Sequence, residues 1–293
     1  MCNYMPVGGF QGVFSVISPD AQSVSLGNIN IISKVNTFGA FNNPALLIDK
    51  KYSGGISYHK LSLDRYNQSI ILSFRIPPKA TGSIGYTSSG VKDIIGRGYT
   101  GNITNEFNWS SHHGFFCFGI SPLNKVSIGV KFNIFFQNLI DEVKSTGLGI
   151  DLGVHINPVN NLSMAFTLKN IKGKSNWKIS MDDGTIRDYN EYYPLIYSGA
   201  LSYTFLGQFN FLGQMDFYHD IDFGFIGYKN KFGVEYHINN FNSPLYLRVG
   251  YNINNASIGI KLPLKKILKI NYALVIGLNN EGNSHVFTWD YNL

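Results

Sequence analysis

Apolar and polar residues alternate along most of the chain from Tyr52 onward, in segments of about ten residues that turn residues separate. Between Val126 and Ile134, apolar residues occupy every second position, and serine, glycine, lysine and asparagine lie between them. Because successive side chains of a β-strand point to opposite faces, this pattern predicts a strand with one apolar and one polar face. The segment from Leu148 to Ile156 repeats the pattern.

We count about fourteen such segments, an even number that is typical of bacterial membrane barrels. Residues 52–293 are therefore predicted to form an all-β, antiparallel, up-and-down transmembrane β-barrel of about fourteen strands. The predicted strands lie at 52–60, 66–76, 80–88, 108–121, 125–137, 144–157, 160–170, 193–206, 208–218, 231–239, 244–253, 256–262, 266–277 and 284–293.

The predicted connections are short at one end of the barrel and long at the other. Those after even-numbered strands are short, whereas residues 89–107, 171–192 and 219–230 are predicted to form long loops after odd-numbered strands. Outer-membrane barrels show this asymmetry, with short turns on the periplasmic side. We therefore expect a bacterial outer-membrane protein with both termini in the periplasm.

The polar face of the predicted strands carries ionisable residues, although charged residues form only 14% of the chain. A water-soluble β-sandwich or barrel, the main alternative, would have to bury these groups at high cost. A polar lumen would instead hold them in water or in pairs, and Lys131 and Asp151 are expected to pair. The residues predicted to face the lumen are Lys131, Asp151, Glu235, Arg248, Lys261, Lys269 and Asp290.

Composition also argues against other protein classes. No apolar stretch approaches the roughly 20 residues of a transmembrane helix. The formal charge is +6, but lysine and arginine are scattered, so we expect no nucleic-acid partner. The pair His112-His113 near Ser110 suggests a nucleophile and a base, but it fits better a polar strand end. We therefore predict no catalytic residues, no metal site and no cofactor.

Residues 1–51 lack the alternation and form a separate unit in our prediction. The segment is too irregular to meet lipid, where each backbone polar group needs an internal partner, so we expect it inside the lumen as a hatch. Its candidate gating residues are Asn43, Pro44 and Ala45. Pro44 fixes its own φ and favours an extended Asn43, whose side chain can then cap a turn. This turn either closes the lumen and moves for passage, or simply leads into the first strand.

Several short runs occur in the order of a known family. The runs Asp20-Ala21, Leu26-Gly27 and Asn43 to Leu46 resemble the N-terminal signature of the PorV/PorQ-like barrels, which are relatives of the FadL-type hydrophobic-compound transporters. Three features depart from that family. The small-residue cluster that usually precedes the Leu-Gly pair is here Gln22-Ser23-Val24-Ser25, and residue 293 is leucine rather than an aromatic residue. The first residues show no export leader, so we expect a late start, through a mis-called start or through processing. Further similar runs are 91–97, 129–131, 149–153, 233–236, 247–251 and 284–288.

The resemblance implies an outer-membrane barrel with an N-terminal hatch and one of two functions. The first is passage of hydrophobic compounds, with a hydrophobic small molecule as partner. The second is an accessory role in type IX secretion, with secreted cargo proteins or secretion-machine subunits as partners. Outer-membrane lipid would surround the barrel in both cases. A general porin for small polar solutes and an outer-membrane enzyme remain alternatives.

Overall fold

The chain forms a closed antiparallel β-barrel in a computed structural model that describes residues 12–33, 36–46, 51–140, 143–180, 185–238, 244–264, 267–278 and 282–292. This architecture confirms the predicted fold class. The strands are β1 (Tyr52–Lys60), β2 (Arg65–Ile76), β3 (Ala80–Arg97), β4 (Ile103–Leu123), β5 (Val126–Ile140), β6 (Val143–Val159), β7 (Leu162–Ser180), β8 (Ile186–Tyr192), β9 (Leu195–Phe205), β10 (Phe209–Asp220), β11 (Gly224–Ile238), β12 (Leu245–Asn252), β13 (Asn255–Pro263), β14 (Leu268–Gly277) and β15 (Asn283–Asn292).

The barrel closes where β1 pairs with β15, with Ile56 opposite Trp289. Around the wall each strand pairs with its sequence neighbours, except at β7. Residues 162–169 of β7 pair with β9, whereas residues 174–180 pair with β8. Strands β8 and β9 therefore follow one another along a single line of the wall, and the wall has fourteen strands.

The predicted long loops are wrong, because strands run through most of these residues. Strands β3 and β4 continue to Arg97 and from Ile103, β7 and β8 occupy most of 171–192, and β10 and β11 leave only 221–223 as a turn. Antiparallel pairing satisfies the backbone polar groups of these hairpins. These parts of the strands extend past the region of the wall that has an apolar outer face. Neither face of a strand needs to be apolar there, so the alternation of apolar and polar residues is missing.

The two faces of the wall differ as the alternation predicts. Outward side chains are large and apolar, and Ile56 and Val249 are 57% and 59% exposed. Inward side chains are mostly polar and buried, and Ser57 and Thr288 are 1% exposed. A face of exposed apolar residues around a polar interior is the arrangement of a barrel surrounded by lipid. None of the helices in the described ranges is long and apolar enough to cross a membrane.

Residues 12–33 and 36–46, which we call the inner segment, lie inside the barrel; residues 1–11, 34–35 and 47–50 of the predicted hatch are outside the described part of the chain. The inner segment contains the helices α1 (Val13–Val16) and α2 (Ala21–Ser25) and a short 3₁₀ helix. Asp20 begins α2 as its N-cap, because its Oδ2 accepts a hydrogen bond of 2.9 Å from the Ser23 N–H. Helix α2 packs against β12 to β15.

Candidate functional site: the lumen and its inner segment

The backbone of the inner segment lies directly on the wall at lumen-facing glycines. A Cβ at Gly250 would clash with the backbone of Leu26 and Gly27, and one at Gly129 with the Pro44 carbonyl group. A Cβ at Gly153 would clash with the Asn43 side chain. Because glycine lacks a Cβ, these positions allow two backbones to approach closely. The inner segment is therefore seated in gaps that the wall sequence provides.

The predicted gating residues form a tight turn against β5 and β6. The Asn43 Nδ2 group donates to the Ile31 carbonyl oxygen at 2.8 Å and to that of Val154 on the wall at 3.4 Å. The Asn43 Oδ1 atom accepts from the Ala45 N–H at 2.9 Å. Asn43 and Ala45 are 0% exposed. The Asn43 side chain thus joins two parts of the inner segment to each other and to the wall.

Hydrogen bonds also attach the α2 side of the inner segment to the opposite wall. The Ala21 N–H donates to Thr288 Oγ1 at 2.9 Å. The Asn30 N–H donates to Gln214 Oε1 at 2.9 Å, and the Gln214 Nε2 group donates to Asn30 Oδ1 at 3.2 Å. Because these groups are buried, each of them needs such a partner inside the barrel. The inner segment is therefore held by polar contacts from several strands.

Lys131 and Asp151 lie 2.8 Å apart on neighbouring strands, and both are 2% exposed. Lys131 also donates to the Phe41 carbonyl oxygen of the inner segment. Nearby, Lys169 donates to Asn42 Oδ1 at 3.2 Å. Two wall lysines therefore contact the inner segment next to the Asn43 turn, and the Asp151 carboxylate offsets one of their two positive charges. Loss of one partner from a buried pair typically costs about 3–5 kcal/mol.

A second charged cluster lies across the barrel, on β11 to β15. Glu235 and Arg248 are 2.6 Å apart, and Lys261 lies 3.9 Å from Asp290. Lys261 also approaches Gln22 Oε1 of the inner segment at 3.5 Å. The last predicted lumen residue, Lys269, is half-buried and lies opposite Asp290 in the strand register. The seven residues that were predicted to face the lumen thus fall into two groups on different strands of the wall.

Sequence analysis missed a further ion pair and one wall lysine. Lys231 and Asp216 lie 2.6 Å apart and are 5% and 3% exposed. Asp216 follows Gln214 at a spacing of two in a predicted strand, so the alternation itself contained the signal. Lys169 stands at the end of a predicted strand, where the pattern no longer defines a face.

Asp20 is the buried carboxyl group of the inner segment that lies close to the second cluster. Burial raises the pKa of the Asp20 carboxyl group above its ordinary value of 3.8, and the charge of Asp290 raises it further. Hydrogen bonds from Ser23 and Asn36 oppose this shift. The Asp20 Oδ1 atom has no hydrogen-bond partner within the described residues. The charge on Asp20 therefore opposes the burial of the inner segment.

Two cavities lie between the inner segment and the barrel end that carries the loop between β1 and β2. The first has a volume of about 240 Å³ and is lined partly by Val16, Val24 and Val275 and partly by polar side chains, among them Lys229 and Lys231 of β11. The second has a volume of about 270 Å³, and its wall includes the rings of Phe14, Tyr66 and Trp109. Both cavities are lined by Ile17, Leu61 and Arg65. Apolar cavities with a few polar groups are the usual form of a small-molecule site.

The candidate catalytic residues are not brought together as a catalytic unit. His112 and His113 point to opposite faces of β4. His112 Nδ1 lies 2.7 Å from the Tyr86 hydroxyl group, and His113 Nε2 lies 2.9 Å from Asn133 Oδ1. In the ranges that the structure covers, no group of three metal-ligating side chains occurs.

Comparison with known proteins gives matches in structure only: no protein-family model and no curated protein matches the sequence. The P. putida toluene transporter TodX has a TM-score of 0.68 and 12% identity over 94% of this chain and 98% of TodX. The monoaromatic hydrocarbon channel CymD has a TM-score of 0.68 and 11% identity over 97% and 99%. A Pseudomonas aeruginosa FadL homologue has a TM-score of 0.64 and 10% identity over 93% and 98%. The chain therefore has the fold of the FadL-type outer-membrane barrels.

Proposed function

We propose that the protein is a non-enzymatic outer-membrane channel for hydrophobic compounds, with both termini in the periplasm. The observation that carries the proposal is the pair of cavities, each lined in part by apolar side chains, between the inner segment and the barrel end that carries the loop between β1 and β2. The fold that this chain shares with TodX, CymD and a FadL homologue supports the same class of function.

The cavities suit a compact apolar molecule that enters from the cell surface. Ile17 lies at the junction of the two cavities, next to Leu61 of the loop between β1 and β2. A molecule at this junction would leave water and contact aliphatic and aromatic side chains, which gains roughly 25 cal/mol per Å² of buried apolar surface. Small neutral aromatic compounds fit the volumes of these cavities.

In this proposal the inner segment is the hatch that a molecule must pass. The inner segment contacts β5 and β6 through the Asn43 turn and β12 to β15 through α2. A passing molecule therefore needs a local displacement of the segment. Displacement at the Asn43 turn would have to break the separate contacts of Lys131 with Phe41 and of Lys169 with Asn42.

The direct test places a charge at the junction of the cavities. In Ile17→Glu, the affinity of the purified barrel for toluene should fall about tenfold, because an apolar molecule would have to displace a hydrated carboxylate. Ile221→Glu, at an exposed turn, is the matched control. Unchanged affinity of Ile17→Glu, with the barrel folded, would contradict the proposal.

Truncation of residues 1–45 distinguishes a hatched channel from a general porin. A barrel that the inner segment closes should gain ion conductance in planar bilayers, whereas an open porin should change little. The accessory role in type IX secretion has no support from the structural comparisons. Mass spectrometry of proteins that co-purify with the barrel tests it, since stoichiometric cargo or secretion-machine subunits would favour that role.

A further inference from the structure

The outer face of β1, β2 and β3 changes from apolar to polar within one row of side chains. In the strand register Ile56 lies beside Ile70, and in the next outward-facing row Tyr58 lies beside Gln68, which pairs with Ser88. Two residues along a strand correspond to roughly 7 Å. This change marks the edge of the apolar belt at the barrel end that carries the loop between β1 and β2.

Just beyond this edge, three cations surround a shallow cleft on the outside of the barrel. Lys60, Arg65 and Lys92 line the cleft, which has a volume of about 470 Å³. Lys60 follows Tyr58 on the outward face of β1, and the Lys92 Nζ atom lies 5.7 Å from the centre of the Tyr66 ring. Long lysine side chains on aromatic rings are typical of membrane interfaces, where the charge reaches the headgroups.

Polar side chains line the cleft together with the cations. The Tyr66 side chain borders both this cleft and the second inner cavity. The Tyr66, Gln68 and Ser88 side chains line the same space as Lys60 and Lys92. The cleft thus combines hydrogen-bond donors with positive charge.

The three cations of the cleft form no ion pairs within the described residues. Asp64 and Asp93 also line it, which leaves an excess of one positive charge. Within the described residues, no ion pair joins Lys60, Arg65 or Lys92 to a carboxylate. Arg65 donates instead to the Ser62 carbonyl oxygen at 3.0 Å. The two lysines are therefore the groups best placed to bind an anion.

We infer that this cleft binds the phosphate group of a phosphorylated glycolipid in the outer leaflet. The cleft opens on the lipid-facing side of the barrel and lies directly above Ile56 and Ile70, so an anion with attached acyl chains could place its chains on these residues. Lys60 and Lys92 would bind the phosphate oxygens, and Gln68 would donate to the sugar. The inference uses the outer-membrane placement and orientation, but not the passage of hydrophobic compounds.

The test measures binding of lipid A by the delipidated barrel in detergent. Lys60→Gln/Lys92→Gln should weaken binding of phosphorylated lipid A about tenfold, given the contribution that each lysine makes near an anionic surface. Binding of dephosphorylated lipid A should stay the same. The control is Lys79→Gln/Lys125→Gln, which removes two exposed lysines at the opposite end of the barrel and should change neither value.

Three results would overturn the inference. One is unchanged binding by the double variant, and another is an equal loss in the control variant. The third is displacement of lipid A by inorganic phosphate at equal concentration, which would show a site for free phosphate. Lys60→Arg/Lys92→Arg keeps the charges and should retain binding, which separates loss of the site from misfolding.

Discussion

At the scale of single residues, glycines on the lumen face of the wall determine where the inner segment can lie against it. Gly129, Gly153 and Gly250 come from three different strands, yet each accommodates a specific part of the inner segment. Their spacing in the sequence gives no sign of this common role. A glycine in a strand indicates a close approach, but only the folded barrel shows which backbone approaches.

Gly250→Ala should displace the inner segment while leaving the barrel folded. The added methyl group would overlap backbone atoms of Leu26 and Gly27, which cannot move without loss of the neighbouring contacts. We expect increased ion conductance in planar bilayers and a loss of stability of roughly 1–3 kcal/mol. Gly213→Ala is the control, since a Cβ there meets no atom within 4 Å. Equal conductance of the two variants would refute the predicted role of Gly250.

Asp20 should make docking of the inner segment dependent on pH. The pKa of the Asp20 carboxyl group is raised when the inner segment is docked, so protonation of Asp20 favours docking. The stabilisation from Asp20 is complete below the ordinary pKa of 3.8 and is lost as pH rises through the raised pKa. The thermal midpoint of the wild type relative to Asp20→Asn should therefore fall as pH increases through this range. Asparagine also caps helices well, so α2 should persist. A midpoint difference that is independent of pH would argue against this role.

The charged residues show how far residue-scale prediction extends. Lys131 and Asp151 were expected to pair because their strands are adjacent and their positions alternate with apolar ones. The contacts of Lys131 with Phe41 and of Lys169 with Asn42 were not predictable. These contacts join residues that are 90 and 127 positions apart in the chain, and no local pattern encodes such a pairing.

At the scale of elements, strands were predictable where lipid meets one face and not beyond it. Strand β13, predicted at 256–262, occupies Asn255–Pro263. Strand β8 was missed altogether, because Ile186–Tyr192 is exposed on both faces and shows no apolar stripe. In the described structure β8 pairs only with β7, so its formation depends on that neighbour.

Shortening the hairpin of β7 and β8 should leave the barrel intact. Ser175 is paired with Glu191, so residues 176–190 can be replaced by an Asn-Gly turn. Residues 162–169 of β7 keep their partners on β9, and the variant should retain the heat-dependent shift in gel mobility of a folded barrel. Removal of β13, which bonds to β12 and β14, should abolish the shift. Loss of the shift in the hairpin variant would show that β8 is needed for closure.

At the scale of the whole molecule, the orientation in the membrane is open to a direct test. Tyr99, in the turn between β3 and β4, is fully exposed, and Asn124 lies in the short turn at the other end. With both native cysteines replaced by serine, Tyr99→Cys should react with a membrane-impermeant maleimide on intact cells. Asn124→Cys should react only after the outer membrane is permeabilised. The reverse pattern would place the termini outside the cell.

The fold was predictable from the sequence to a greater extent than the site. Alternation over many segments identifies a lipid-facing wall. Its absence from residues 1–51 predicts that this segment lies inside the barrel. The position of each inner-segment residue depends on contacts between distant strands, and so do the two cavities around Ile17. These features follow from the closed barrel and have no counterpart in any one segment.

The hydrogen bond from the Ala21 N–H to Thr288 spans 267 positions in the chain and constrains the order of assembly. Helix α2 rests on β12 to β15, so its binding surface is complete only when those strands have paired. Contacts between such distant positions form slowly, because the ordering cost precedes the gain. The inner segment therefore cannot make this hydrogen bond until the last strands of the chain have paired. Maturation of this protein should thus include a late step in which residues near the start of the chain dock on strands near its end.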